Sequence, residues 1–188
     1  MKNFVKIATH SILFLFLFSH CSKSTVTLNI DILSFFKEDK RQIDYGEDPI
    51  IPGYGPQVSV KSPVQAVPIA EEISDSGDME RIHILLGIEI SNDTGEAEGE
   101  FKIFACEGGL DPFMTTPIID QTVVIVPDTT YKLDIAVEGD DRLLGLFEKD
   151  EIYFAAELYL YPGDLEEDIK GSVLMEKLKA VIEFSSSI

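Results

Sequence analysis

The chain has no tryptophan, two cysteines and three histidines. Lacking Trp, it lacks the residue that stacks most strongly on ligands. His10 and His20 fall within the first 20 residues, so the remainder holds His83 alone. A multi-histidine zinc site is therefore excluded. A Ser-His-Asp triad would have to use His83, which sits mid-strand opposite an apolar row, a position expected to face solvent. Cys106 can form an internal disulfide only with Cys21, so an exported domain must be held by its core. Cys106 follows Phe104 and Ala105 in a strand-like run and reads as a buried free thiol. No glycine-rich phosphate loop and no nucleophile elbow is present, and no cofactor is expected.

Basic residues are scarce, 15 Lys and Arg against 34 Asp and Glu. Two of the 15 lie in residues 1–20, which contain no acid, so the rest of the chain carries a net charge of −21. Such a body repels nucleic-acid backbones and anionic headgroups, so no nucleic-acid partner is expected. High net charge also favours solubility.

Long apolar runs are missing as well. The longest, residues 7–18, is interrupted by Thr9, His10 and Ser11. A bilayer-spanning helix needs about 20 apolar residues. Behind Lys2 and Lys6, this run is instead the apolar centre of an export signal over 1–20. The signal ends in Leu17, Phe18, Ser19, His20 and Cys21, which resembles the lipobox of bacterial lipoproteins. The resemblance covers the N-terminus only. It implies that Cys21 becomes the first mature residue and carries lipid, with 21–25 as a short tether. It also implies a cell-envelope location, periplasmic or surface-exposed, anchored to a membrane. The residues alone also fit an ordinary secretory signal cut after Cys21 or Ser24, which would leave a soluble secreted protein.

What is present in quantity is period-two alternation. Val26, Leu28, Ile30 and Ile32 share one face. So do Ile82, Ile84, Leu86, Ile88 and Ile90. Phe101, Ile103 and Ala105 form a third row. Tyr131, Leu133, Ile135 and Val137 form another, and Ile152, Phe154, Ala156, Leu158 and Leu160 a fifth. Further strands are expected over 122–126 and 178–184, with short edge strands at 58–60 and 64–67 limited by Pro63 and Pro68. Turn residues separate these runs. Asn92 to Gly95 reads as a hairpin loop. The pattern predicts a single all-β domain over 26–188, an antiparallel two-sheet β-sandwich, Ig-like or jelly-roll-like. One short helix fits residues 140–149, with Asp141 as its cap. Residues 36–57, rich in Gly, Pro, Tyr and acid, are expected to form a long irregular crossover.

Two groups of residues are candidates for function. The face opposite the apolar row in 152–162 carries Tyr153, Ala155, Glu157, Tyr159 and Tyr161, and the three tyrosine rings can stack sugars or grip a peptide. Acidic loops containing Asp75 and Asp78, or Asp140 and Asp141, offer oxygens of the kind calcium takes. The expected function is a non-enzymatic binding or structural domain with a protein or glycan partner. The alternatives are an envelope enzyme acting on glycans through paired carboxylates, and a soluble secreted carrier. An exposed aromatic patch would favour the module, and carboxylates lining one cleft would favour the enzyme.

Overall fold

The computed structural model describes residues 24–46, 58–69, 78–162 and 168–186. The export signal, Cys21, Asp75 and the Gly/Pro-rich stretch from 47 lie outside the described residues.

Ten strands form two antiparallel sheets. The first contains β1 (Ser24–Asp31), β2 (Gln42–Tyr45), β5 (Asp78–Thr94), β8 (Thr129–Glu138) and β10 (Lys170–Ser186). The second contains β3 (Val58–Lys61), β4 (Gln65–Pro68), β6 (Ala97–Glu107), β7 (Ile119–Ile125) and β9 (Glu151–Pro162). β1 and β2 lie end to end along the same edge of β10, and β3 and β4 do the same along β9. Counting each broken edge as one strand, the orders are β1/β2-β10-β5-β8 and β3/β4-β9-β6-β7. That interleaving of early and late strands is a jelly roll, so of the two sandwich types expected the jelly roll is the one formed.

The rows of β5, β6 and β9 fill the space between the sheets, while those of β1 and β8 are only partly buried and Val26 is exposed. Ile82, Ile84, Leu86, Ile88 and Ile90 of β5 are fully buried, as are Ile152, Phe154, Ala156, Leu158 and Leu160 of β9 facing them. Burying each large aliphatic side chain contributes about 1.5–3 kcal/mol. Among the described residues, no helix is long and apolar enough to cross a membrane.

Several expectations are corrected. β1 begins at Ser24 rather than Val26, because Ser24 and Thr25 pair with Ser186 and Ser185, inside the stretch read as a tether. The last strand begins at Lys170, not near Leu178. A bulge between Met175 and Lys177 shifts its register, so Val173 and Met175 are out of phase with Leu178, Ala180 and Ile182. The 36–57 stretch contains strand β2, preceded by a one-turn 3-10 helix at Glu38–Lys40. The helix is α1 (Asp141–Leu146), and its cap is Asp140, whose carboxylate accepts the Leu143 N–H at 2.9 Å. Asp141 already occupies the first helical position, too far along to cap. Leu143 and Phe147 close that end of the core.

Asn92 to Gly95 is not a hairpin. β5 and β6 belong to different sheets, and the segment turns the corner between them. Asn92, 2 % exposed, donates to the Gly95 carbonyl at 2.7 Å and accepts from the Tyr45 hydroxyl at 3.0 Å. Gly95 has φ 75, and a Cβ there would meet the Asp168 carbonyl and Ile169 at 2.9 Å. Asn and Gly are required by this corner, just as they would be by a hairpin.

The edge break between β3 and β4 has a specific chemistry. Pro63 has no N–H to offer the ladder. Before it, Ser62 keeps the ladder to Ala156 paired: its hydroxyl accepts the Ala156 N–H at 2.8 Å, where a backbone carbonyl would ordinarily do so, while its own N–H donates to the Ala156 carbonyl at 2.8 Å.

A candidate binding face on the second sheet

Alternation along β9 puts Tyr153, Ala155, Glu157, Tyr159 and Tyr161 on the outer face of the second sheet. Register fixes their neighbours. Glu157 lies between Lys61 of β3 and Lys102 of β6, and Lys102 lies opposite Asp120 of β7. The result is a rung of alternating charge across four strands, Lys61, Glu157, Lys102 and Asp120. The next rung holds Ser59, Tyr159, Glu100 and Thr122, and the one beyond it holds Tyr161, Glu98 and Val124.

Glu157 is the unexpected member. It lies on an outer face yet is only 4 % exposed. A carboxylate taken from water must be offset by partners. One oxygen accepts from the Ser59 hydroxyl at 2.9 Å and lies 3.6 Å from the Lys61 ammonium. Lys102 is held by Glu100 at 2.6 Å and Asp120 at 3.7 Å. The hydrogen bond that Lys102 donates to the Glu100 carboxylate holds its ammonium above the ordinary lysine pKa. The same ammonium stands 5.4 Å from the Tyr159 ring centre, within cation–π range.

The lower half of this face is covered. Phe104 and Cys106 point outward by parity, yet both are buried. A 3-10 turn at Pro112–Met114 lies over them, started by Asp111, whose carboxylate accepts the Phe113 N–H at 3.1 Å. The Phe113 ring meets Phe104 edge-on, with centres 5.5 Å apart, and its other neighbour is the Lys61 ammonium at 4.3 Å. Burial, and secondarily the Asp111 charge, push the Cys106 thiol up from its ordinary pKa.

Beyond this turn the face opens into a depression of about 320 Å³, lined by Glu100, Lys102, Phe104, Pro117, Glu157, Tyr159 and Tyr161. Tyr159 is half-buried and Tyr161 is 45 % exposed. The three tyrosines expected to act together are thus divided. Tyr159 and Tyr161 share the depression, while Tyr153 stands opposite Cys106, six residues down the strand, or about 20 Å at strand rise. Tyrosine parity was readable from β9 alone. The same parity placed Glu157 on this face, whereas Glu100, Lys102 and Pro117 were not picked out, because cross-strand register is a non-local property. One local signal was available: Phe104 and Cys106 share parity with Lys102, which marks an outer face that something covers.

The acidic candidates lie elsewhere. Asp78 is exposed at the start of β5, and Asp140 is engaged in capping α1 next to exposed Asp141. Among the described residues, no group of three or more His, Cys, Asp or Glu side chains is placed to hold a metal ion.

No family model matches the chain. No curated protein matches it either. Solved structures overlap it in part. One is the "Structure of infectious bursal disease virus Gx strain", at 10% identity and TM-score 0.42 over 89% of this chain and 33% of that one, so this chain spans about a third of that chain's length. Another is "TmCBM61 in complex with beta-1,4-galactotriose", at 6% identity and TM-score 0.31 over 89% of this chain and 90% of that one. A third is the "xylan-binding module CBM15", at 12% identity and TM-score 0.33 over 85% of this chain and 97% of that one.

Proposed function

We propose that this chain is a non-catalytic glycan-binding domain of the cell envelope, anchored through lipid on Cys21, with Tyr159 and Tyr161 as its sugar platform. The observation that carries the binding reading is the pairing of an exposed Tyr161 and a half-exposed Tyr159 with Glu100, Lys102 and Glu157 in one depression. A sugar ring presents an apolar C–H face and a rim of hydroxyls. A tyrosine face accommodates the first, and carboxylate groups accept from the second.

The anchor reading rests on the export segment and on strand directions. β1 starts at Ser24, beside Ser186 and at the Asp78 end of β5. β9 runs from that end toward the opposite one, where Pro162 pairs with Ala97 just past the corner. Tyr161 therefore stands at the far end of the sandwich from a lipidated Cys21, turned away from the membrane. An enzyme is the less favoured alternative. Glu100 and Glu157 already have lysine or serine partners, unlike the isolated carboxyl group in an apolar pocket that serves as a general acid.

Affinity electrophoresis of the soluble domain through gels containing different polysaccharides tests the binding reading. Tyr161→Ala should lose about 1–2 kcal/mol of binding, roughly tenfold in affinity, while Tyr153→Ala should migrate as the unaltered domain does. Retardation untouched by Tyr161→Ala, or absent from every gel, would refute the site. Intact-mass measurement of the membrane-extracted protein tests the anchor: unmodified mass at the N-terminus rules it out.

A further inference from the structure

We propose that the glycan bound at this depression carries no acid groups, an inference that rests on the glycan reading above. One ammonium group, Lys102, lines the depression, and a second, Lys61, stands beside it across Glu157; both are committed. Lys102 is divided between Glu100 and Asp120 and lies against the Tyr159 ring. Lys61 is divided between Glu157 and the Phe113 ring. A uronate, sulfate or sialic acid would need one of them, and taking it would strip the partner from a carboxylate. That cost is highest at Glu157, which is buried and cannot turn to water instead.

The surrounding field points the same way. Glu98 lies opposite Tyr161 and is exposed, so this face sets four carboxylates, Glu98, Glu100, Asp120 and Glu157, against two lysines. The chain as a whole carries a formal charge of −19. An anionic polymer approaching Tyr161 meets repulsion at long range and, among the described residues, finds no unpaired cation on this face at short range. Neutral sugars face neither obstacle. Their hydroxyls donate, and the carboxylate oxygens of Glu100 and Glu157 accept.

The experiment uses matched probes: soluble glucan, galactan and mannan, each beside the same polymer with its primary alcohol oxidised to a carboxylate. Binding of the soluble domain is measured at low and high salt. At least one neutral polymer should bind, with its oxidised form at least about tenfold weaker at low salt, and the gap should narrow as salt screens the field. Glu98→Lys should narrow the same gap without added salt. Oxidised polymer binding as tightly as its neutral parent would overturn this inference and leave the glycan reading standing. Binding of neither form in any pair would overturn both.

Discussion

Replacing Ser62 by Ala isolates one hydroxyl and what it does for a broken strand. In the native chain that hydroxyl accepts the Ala156 N–H at 2.8 Å and donates to the Pro63 carbonyl at 3.2 Å. The change adds no bulk and leaves the Ser62 N–H on the Ala156 carbonyl. What is lost is the only hydrogen-bond partner described for the Ala156 amide, in a strand whose neighbours Ala155 and Ala156 are both 1 % exposed. An unsatisfied buried donor costs about 1–3 kcal/mol, well above the roughly 1 kcal/mol net value of an ordinary hydrogen bond. For a domain of this size, that lowers the melting temperature by about 3–10 °C. Urea unfolding should show the loss as a lower midpoint with unchanged slope. Hydrogen exchange should show it locally, as faster exchange at Ala156 than at Leu158. Pro63→Ala is the companion change. Pro63 is exposed and contributes only its carbonyl, so its cost should stay within about 1 kcal/mol, arising from unfolded-state freedom. A Ser62→Ala loss below about 0.5 kcal/mol with Ala156 still protected would refute the view that this hydroxyl splices the edge.

Two further outcomes follow from buried groups near the ends of the sandwich. Tyr45→Phe removes the hydroxyl that bonds Asn92 and the Ser91 carbonyl, and should cost about 1–2 kcal/mol in urea unfolding at neutral pH. Burial, and then the Asp93 charge, push the Tyr45 phenol far above its ordinary pKa of 10.0. The neutral phenol's contribution is therefore complete below that value and is lost as pH rises above it, since the unfolded chain ionises first. The unaltered protein should lose stability above about pH 10 more steeply than Tyr45→Phe does; parallel profiles would contradict this. Cys106, its thiol pushed up by burial, should resist alkylation at about pH 8 in the native state and react fully in denaturant; a native rate equal to that of a model thiol would show that the Pro112–Met114 turn does not cover it.

Much of the sandwich was legible because β5, β8 and β9 each turn one apolar face to the core, which writes itself into the sequence as alternation even where, as at Ala155 and Glu157 of β9, the other face is buried too. Legibility failed where a residue's setting depends on a distant partner. β2 offers just Ile43 and Tyr45 to the core, too short a signal to detect, and becomes a strand because β10 supplies the other half of the ladder. The bulge at Met175 hides eight residues of β10 by switching parity. The corner after Asn92 uses hairpin residues, and nothing local says that the next strand belongs to the other sheet. At the candidate face the same distinction holds. Tyr159 and Tyr161 follow from parity along one strand. The burial of Glu157 follows from Ser59, Lys61 and the turn around Phe113, none of which is near it in sequence.

The broken edges also bear on how copies of this domain coexist. An unbroken edge strand is a template on which a second chain can extend the sheet and begin to aggregate. Here the β1/β2 edge is interrupted over residues 32–41, and the β3/β4 edge over residues 62–64, next to a proline. Neither offers a second chain a continuous run longer than the eight residues of β1. Lipid on Cys21 would confine many copies to one plane, where crowding multiplies edge-to-edge encounters. The interruptions make encounters along these two edges unproductive and direct any sheet extension to the opposite, unbroken edges, β8 (Thr129–Glu138) and β7 (Ile119–Ile125), where the acidic body must do the separating.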